Sequence, residues 1–219
     1  KPGEFESVLH NELAKEFKEE RLIIVGNNVR KSGIIRHIEK SKGDSDKTLI
    51  KGYSLSSIIG RRITVPPVGT AYGPMTADGV TNTKAYVDRN CVNPVDPSRK
   101  IPNLVIAENK KRGKNMFYQT RYKQLDEELA KISEVSGLGW EVYLDYENKQ
   151  FVFDVYEGLN LTASQSERPP VIFSVGFDNV GNQTYTDSAL IYKNIAYVAG
   201  QGEGAEREVL EVGENETGL

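Results

Sequence analysis

Apolar and polar residues alternate through the first part of the chain, which is the pattern of half-buried β-strands. The alternation is clear in FESVL (5–9) and continues in GIIRHIE (33–39) and KTLIKGY (47–53), which are separated by the polar turn KSKGDSD. The apolar run RLIIVG (21–26) precedes a Gly-Asn-Asn turn and completes a set of four strands. Closely spaced antiparallel strands predict a small barrel or sandwich, with a short helix near residues 12–19.

Helical and loop signals follow this strand-rich start. Ser54 is a favourable N-cap for one or two helical turns in SLSSIIGRR (54–62). The segment 65–80 contains two consecutive prolines and three glycines, which predicts a long loop. TKAYVDRNCV (83–92) predicts a helix that ends before Pro94, and NLVIAE (103–108) predicts a further strand.

The next segment has the spacing of an amphipathic helix. Apolar residues recur at intervals of four, three, four and three from Tyr118 onward, at Tyr122, Leu125, Leu129 and Ile132. Gly137 stands where a helix of this phase ends, and glycine is the residue that most often adopts the left-handed cap conformation. Asp126, Glu127 and Glu128 are predicted to lie opposite the apolar face, in solvent.

A β-hairpin is predicted directly after this helix. Alternate positions are apolar from Trp140 to Tyr146, and the alternation returns from Phe151 to Val155 after a turn at Asn148-Lys149. Four more strands are predicted near the end of the chain, in the ranges 171–177, 183–188, 190–200 and 207–212. The fold class is therefore α+β, with two β-rich, barrel-like modules (1–66 and 161–219) flanking an α/β insert of helix and hairpin (67–160).

Composition limits the classes of function. The chain has 219 residues, a formal net charge of −3 and 38% hydrophobic residues, which is the balance of a folded protein with its own core. This charge predicts neither a strong electrostatic attraction to nucleic acid nor one to an anionic membrane. The single cysteine, Cys91, excludes an intrachain disulfide. No apolar stretch approaches the length of a membrane span.

The usual signatures of catalysis and metal binding are missing from the sequence. His10 and His37 have no partner at metal-ligand spacing, which favours surface positions for both. Cys91 follows an apolar helical pattern, which favours a buried structural thiol. Asp44 and Asp46 resemble the start of a calcium loop, but the glycine and glutamate that such a loop needs are missing, which favours a solvated turn.

The stretch IAYVAGQGEG (195–204) has glycine at alternate positions, at Gly200, Gly202 and Gly204. Its spacing fits neither a phosphate-binding loop nor a dinucleotide fingerprint, and Glu203 would repel phosphate. The following REVLEV alternates like a strand. The glycines therefore predict a tight turn or bulge between two strands, where a positive φ or a close backbone approach is needed.

Several segments together resemble one family. NPVDPSRKIPNLVIAEN, QTRYKQLDEELAKISEVSGLGWEV, FVFDVYEGLNLT and, most distinctively, YKNIAYVAGQGEGAER are similar to segments of the siphovirus-type (pro)phage tail protein family, which is related to baseplate hub and tail-tip proteins. The resemblance also includes GEFE and LIKGYSLSSIIGRR and extends from about Gly3 to Gly218. Many relatives continue beyond this point, which predicts a C-terminal truncation.

The resemblance implies a structural role. Hub proteins of long-tailed phages form a trimer at the end of the tail tube, and two barrel-like domains per chain place six similar modules around a channel. The implied partners are further copies of the chain and the distal tail, tail tube and tape-measure proteins, in a virion tail that is assembled in the host cytoplasm. The resemblance implies no enzymatic activity, no cofactor or metal, no sequence-specific binding of nucleic acid and no membrane span. Gly200, Gly202, Glu203 and Gly204 would form a turn near a subunit contact.

Two alternatives remain open at this stage. A tail-associated cell-wall hydrolase would use carboxylates such as Asp145 or Asp154, although both belong to the predicted hairpin. A carbohydrate-binding receptor module would use aromatic residues among the 11 tyrosines and Trp140, although Trp140 belongs to the core-facing pattern of its strand.

Overall fold

The structure is a computed structural model that describes residues 3–43 and 46–213. Its four N-terminal strands form one antiparallel sheet. The strand order is β1-β4-β3-β2, so β1 and β2 are the edge strands. One face packs on a small core around Ala14, Ile35 and Ile50. The strands are β1 (Glu4–His10), β2 (Leu22–Ile24), β3 (Ser32–Ser41) and β4 (Lys47–Ser54).

The helix predicted near residues 12–19 is wrong. Residues 11–16 form successive turns, in which the amides of Leu13 and Ala14 both donate to the carbonyl of His10. This compact connection places Ala14 at 0% exposure and brings Phe17 against the same core. The backbone conformation of this connection is therefore determined more by the burial of these two apolar side chains than by helix propensity.

The larger core of this part of the chain lies between two helices and a three-stranded sheet. The helices are α1 (Gly79–Val87) and α2 (Leu125–Ser136). The short strands β5 (Met75–Ala77) and β7 (Met116–Tyr118) pair with each other. The other sheet has the order β6-β9-β8, from β6 (Leu104–Ile106), β8 (Leu138–Asp145) and β9 (Gln150–Glu157). The predicted hairpin is thus confirmed, and β6 joins it in parallel with β9.

The segment predicted as a helix at 83–92 is helical but differs in its bounds. Helix α1 starts earlier, at Gly79, because the Asp78 carboxylate accepts a hydrogen bond from the amide of Thr81 and caps the first turn. Residues 88–92 continue it as a π-helical turn that buries Asn90 and Cys91. The helical turns predicted after Ser54 form a 3₁₀ helix (Leu55–Arg61), but the Ser54 hydroxyl accepts from the amide of Gly3 instead of capping it.

Helix α2 has the predicted apolar stripe but begins later than predicted. Tyr118 lies in β7 and Tyr122 has a φ of 48°, so neither belongs to the helix. Leu125, Leu129 and Ile132 are each 0% exposed. The helix ends as predicted at Gly137, which has a φ of 73°.

Glu128 corrects the prediction of a solvated acidic face on α2. Glu127 is exposed and Asp126 is half-buried, but Glu128 is only 4% exposed. Its carboxylate accepts hydrogen bonds from the hydroxyl of Tyr118 and the ammonium of Lys131. Glu128 is buried because it follows Leu125 by three positions, and that spacing brings it to the edge of the buried stripe.

The chain divides into two compact units, residues 1–160 and 161–219. In the second unit, β10 (Ile195–Ala199) and β11 (Val209–Gly213) form an antiparallel pair. The strands predicted at 171–177 and 183–188 are wrong, because these segments form loops and one short 3₁₀ turn (Val175–Phe177). The α+β class with a helical insert is confirmed, and the division between residues 66 and 67 stays a prediction.

Candidate interaction surface

The two strands of the second unit form a ribbon with one wholly apolar face. In the register of the pair, Val198 lies opposite Leu210 and Ala196 lies opposite Val212. Successive side chains of a strand alternate between the two faces, so these four residues share one face. All four are exposed. The opposite face contains Tyr197, which is 72% exposed.

The loop between β10 and β11 contains the alternating glycines. The amide of Gly200 donates to the carbonyl of Glu208 at 2.8 Å, and the carbonyl of Gly200 accepts from the Arg207 guanidinium at 2.8 Å. Gly202 and Gly204 have φ angles of 113° and 58°, which favour glycine. This geometry is that of a strand-to-strand turn. Glu203 is exposed within it.

Exposed apolar side chains are common throughout the described part of the second unit. None of residues 161–213 is buried, and Leu190, Ile191 and Tyr185 are each 89% exposed or more. Other exposed large side chains in this part are Val171, Ile172, Phe173, Val175, Phe177, Tyr192, Tyr197, Val198, Val209, Leu210 and Val212. A two-stranded ribbon without a packed face is at best marginally stable in water.

Such a surface has the chemistry of an interface. Burying apolar area contributes roughly 25 cal/mol per Å², and large exposed apolar patches on folded proteins mark contacts with other molecules. The ribbon and its loop (195–213) also carry four carboxylates and one arginine. The second unit therefore presents an apolar surface bordered by negative charge.

Sequence comparison places the chain in a family. The family described as "Siphovirus ReqiPepy6 Gp37-like protein" matches residues 1–218, which is nearly the whole chain. The chain belongs to this siphovirus Gp37-like family. This match confirms the predicted siphovirus-type tail protein family. Membership of this family implies that the chain is a component of the virion tail. No curated protein matches the chain significantly.

Two solved structures resemble this Gp37-like chain. Prophage tail protein gp18 from Listeria monocytogenes EGD-e is 9% identical with a TM-score of 0.41, and the resemblance covers 69% of this chain and 40% of that protein. A tail protein from Neisseria meningitidis MC58 is 16% identical with a TM-score of 0.40, and the resemblance covers 69% of this chain and 41% of that protein. The matched region is about two fifths of the length of each of these proteins.

The residues considered for metal binding and nucleophilic chemistry are dispersed in the Gp37-like chain. His10 and His37 are exposed on strands of the first sheet, as predicted. Cys91 is buried, as predicted, and burial raises the pKa of its thiol to about 12. Asp44 lies outside the described residues. Residues 3–43 and 46–213 contain no cluster of three metal-ligating side chains and no helix long and apolar enough to cross a membrane.

Asp145 and Asp154 do not form a glycosidase pair. Asp145 lies opposite Gln150, which is four positions from Asp154 along β9, so the backbone positions of the two residues are about 13 Å apart along the strand. Glycosidase pairs are about 5 to 9.5 Å apart. Asp145 instead accepts hydrogen bonds from Asn148 in the hairpin turn, and these hold the pKa of its carboxyl below the usual range.

Asp154 has a structural partner that the sequence pattern did not reveal. The ammonium of Lys84 donates to the Asp154 carboxylate at 3.0 Å and to the carbonyls of Ala107 and Glu108. Lys84 is only 5% exposed. The three bonds satisfy all three donors of the ammonium, so this buried charge joins α1 to β9 and to the segment after β6.

Trp140 lies beside a groove in the first unit. Its ring stacks on Phe153 at 5.9 Å between centroids, which agrees with the core-facing pattern of its strand. The groove has a volume of about 480 Å³, and its lining includes Trp140, Tyr156 and Ser133. Tyr156 is 47% exposed. The partly buried ring of Trp140 and the more exposed ring of Tyr156 therefore both adjoin this polar groove.

Proposed function

We propose that this chain is a structural subunit of the phage tail tip, of the baseplate hub type, which joins the tail tube to the tip around a central channel. In this role it forms a trimer in the particle and contacts the distal tail, tail tube and tape-measure proteins. It performs no chemical reaction and is incorporated into the tail during assembly in the host cytoplasm.

The apolar surface of residues 161–213 is the observation that carries this proposal. No described residue of this segment is buried, so its apolar side chains remain in contact with water. The segment therefore lacks the favourable free energy that burial of apolar surface gives a folded protein. Subunits of permanent assemblies have such surfaces, since the neighbouring chain supplies the rest of the core. Because the chain belongs to a siphovirus tail family, we propose that these neighbouring chains are other proteins of the phage tail and further copies of this chain.

A reconstruction of intact tails from a phage that encodes this chain tests the proposal. We expect density for the chain in a ring at the end of the tube, with residues 161–213 covered by protein. A chain located in a peripheral fibre, or absent from purified tails, would contradict the hub role. Deleting the gene should yield particles that lack a completed tip.

The groove beside Trp140 supports a second candidate function, the binding of a carbohydrate chain. Sugars stack on exposed aromatic rings while polar groups at the rim bind their hydroxyls. Tyr156 supplies a 47% exposed ring, and Ser133 and Glu134 lie among the lining residues of the groove. The groove is open, so an oligosaccharide could lie along it.

Trp140 makes this second candidate easy to test, because it is the only tryptophan. Titration of cell-wall oligosaccharides should change its fluorescence if the groove binds sugar. Tyr156→Ala should remove that change, whereas Tyr146→Ala, at an exposed position of the same hairpin, should not. An unchanged spectrum across a panel of cell-wall fragments would exclude a sugar site at Trp140.

A further inference from the structure

We propose that the β10–β11 ribbon of one copy docks on the outer edge of β2 in a second copy, where it meets the segment 21–31. The proposal rests on the hub function above and specifies one contact of that assembly. It commits to a second copy because the two complementary surfaces are both present, and both exposed, on the same chain.

The docking edge on the first sheet is short and apolar. Strand β2 pairs with β3 through only three residues, and it ends the sheet, so its other side has no strand neighbour in the described chain. Leu22, Ile24 and Val25 are 40%, 41% and 58% exposed. An uncovered edge strand with apolar side chains is a template for pairing with another strand.

Charge favours β2 over the other edge of this sheet. The segment 21–31 carries Arg21, Arg30 and Lys31 and no carboxylate. Edge strand β1 carries Glu4 and Glu6 and neither lysine nor arginine. The ribbon and its loop, with four carboxylates and one arginine, would be attracted more by the first edge than by the second, where Glu6 is paired with Lys51 of β4.

The existing contacts of these cations are compatible with docking. Arg30 forms an ion pair with Glu141 and lies over the ring of Tyr143, so part of its charge is already neutralised. Arg21 donates a hydrogen bond to the backbone carbonyl of Glu16 at 2.9 Å and forms an exposed ion pair with the Glu16 carboxylate at 3.9 Å, and exposed contacts of this kind contribute little. Arg21 and Lys31 are therefore the cations that the acidic ribbon would engage.

The lengths of the two partners also match. The residues from Arg21 to Val25 extend over about 17 Å, as do the five residues of β10 and the five of β11. The ribbon could therefore lie alongside β2, edge to edge, with side chains of its apolar face beside Leu22 and Ile24, which share one face of β2. A contact between two different surfaces of identical chains is heterologous, and it closes into a ring when the rotation between copies permits.

Charge exchange tests this pairing. Variant A carries R21E and K31E, and variant B carries E208K and E211K. Each variant alone sets like charges against each other, so its self-association in sedimentation equilibrium should weaken at least about tenfold relative to the unmodified chain. An equimolar mixture should recover association, because each A–B contact again joins opposite charges. The control K110E/K114E makes the same charge change as variant A at exposed positions outside both surfaces.

Zero-length carbodiimide cross-linking identifies the contact directly, in solution and in purified tails. A mixture of ¹⁴N- and ¹⁵N-labelled chains should give mixed-isotope peptides that join Lys31 to Glu208 or Glu211. The proposal is overturned if variants A and B associate like the control, if the mixture does not recover, or if tails that contain the chain yield only ribbon-to-ribbon links or none. Absence of the chain from tails would instead refute the hub function itself.

Discussion

Replacing Glu128 by alanine tests whether this buried carboxylate stabilises the first unit. The Glu128 carboxylate accepts from the Tyr118 hydroxyl at 2.9 Å, and a hydrogen bond to a charged group contributes about 1.5–3 kcal/mol. The Lys131 side chain is 58% exposed, so its ion pair adds only a few tenths of a kcal/mol. We expect Glu128→Ala to lower the free energy of unfolding by about 2–3 kcal/mol.

Glu127→Ala is the matched control. Both glutamates lie in the first turn of α2, so both variants lose a similar favourable interaction with the helix dipole. Glu127 is exposed, and its replacement should change stability by only about 0.5 kcal/mol. Urea denaturation measures both values, provided that the dependence on urea concentration is unchanged.

A double-mutant cycle with Tyr118→Phe assigns the effect to the hydrogen bond. We expect a coupling energy of about 1 kcal/mol or more between Tyr118 and Glu128. Equal destabilisation by Glu127→Ala and Glu128→Ala, or a coupling near zero, would show that the carboxylate is not held as described.

The same group makes a pH-dependent contribution. Burial by itself would raise the pKa of Glu128, but hydrogen bonds from Lys131, Thr120 and Tyr118 outweigh burial and lower it. A lowered pKa in the folded state means that the contribution is complete above the pKa of the unfolded chain and disappears as pH falls through the folded value. The stability difference between Glu128→Gln and the unmodified chain should therefore shrink in acid.

Three further predictions concern packing and access. Leu129→Ala should cost about 2–5 kcal/mol because Leu129 is 0% exposed in the main core, whereas Val135→Ala, at 53% exposure, should cost well under 1 kcal/mol in the same denaturation assay. Gly52→Ala should lower the melting temperature because its new methyl group would overlap the backbone of the neighbouring strand, whereas Gly43→Ala meets nothing within 4 Å and should not. Cys91 should react with a thiol reagent only as fast as the first unit opens, because it is buried and its pKa is raised to about 12, and rapid labelling in native buffer would contradict that burial.

Local periodicity was sufficient to predict the hairpin and the apolar stripe of α2, since both depend on residues close in sequence. The start of α2 was not predictable in this way, because Tyr118 continues the helical spacing but pairs with Met75 in a strand. The same misassignment concealed the role of Glu128, whose partner is the hydroxyl of Tyr118. The burial of Lys84 was equally hidden, because Asp154 lies 70 positions away.

The second unit shows a different limit of sequence patterns. The segments 171–177 and 183–188 have the composition of strands but form none, because strand propensity largely expresses packing against neighbouring strands. The turn around Gly202 could be predicted from the sequence, since alternating glycines between two apolar runs are typical of a turn between two strands. What the pattern could not show is that the ribbon's apolar face remains uncovered.

The parallel pairing of β6 with β9 has a consequence for how the chain folds. Leu104 pairs with Phe151, so β6 cannot complete its sheet until both α2 and the hairpin strand β9 are present. Closing a loop of this length carries an entropic penalty that local elements avoid. Helix α2 and the β8–β9 hairpin can form from neighbouring residues alone, so they are the natural nucleus. On the ribosome, β6 must therefore remain unpaired until residues 150–157 have emerged.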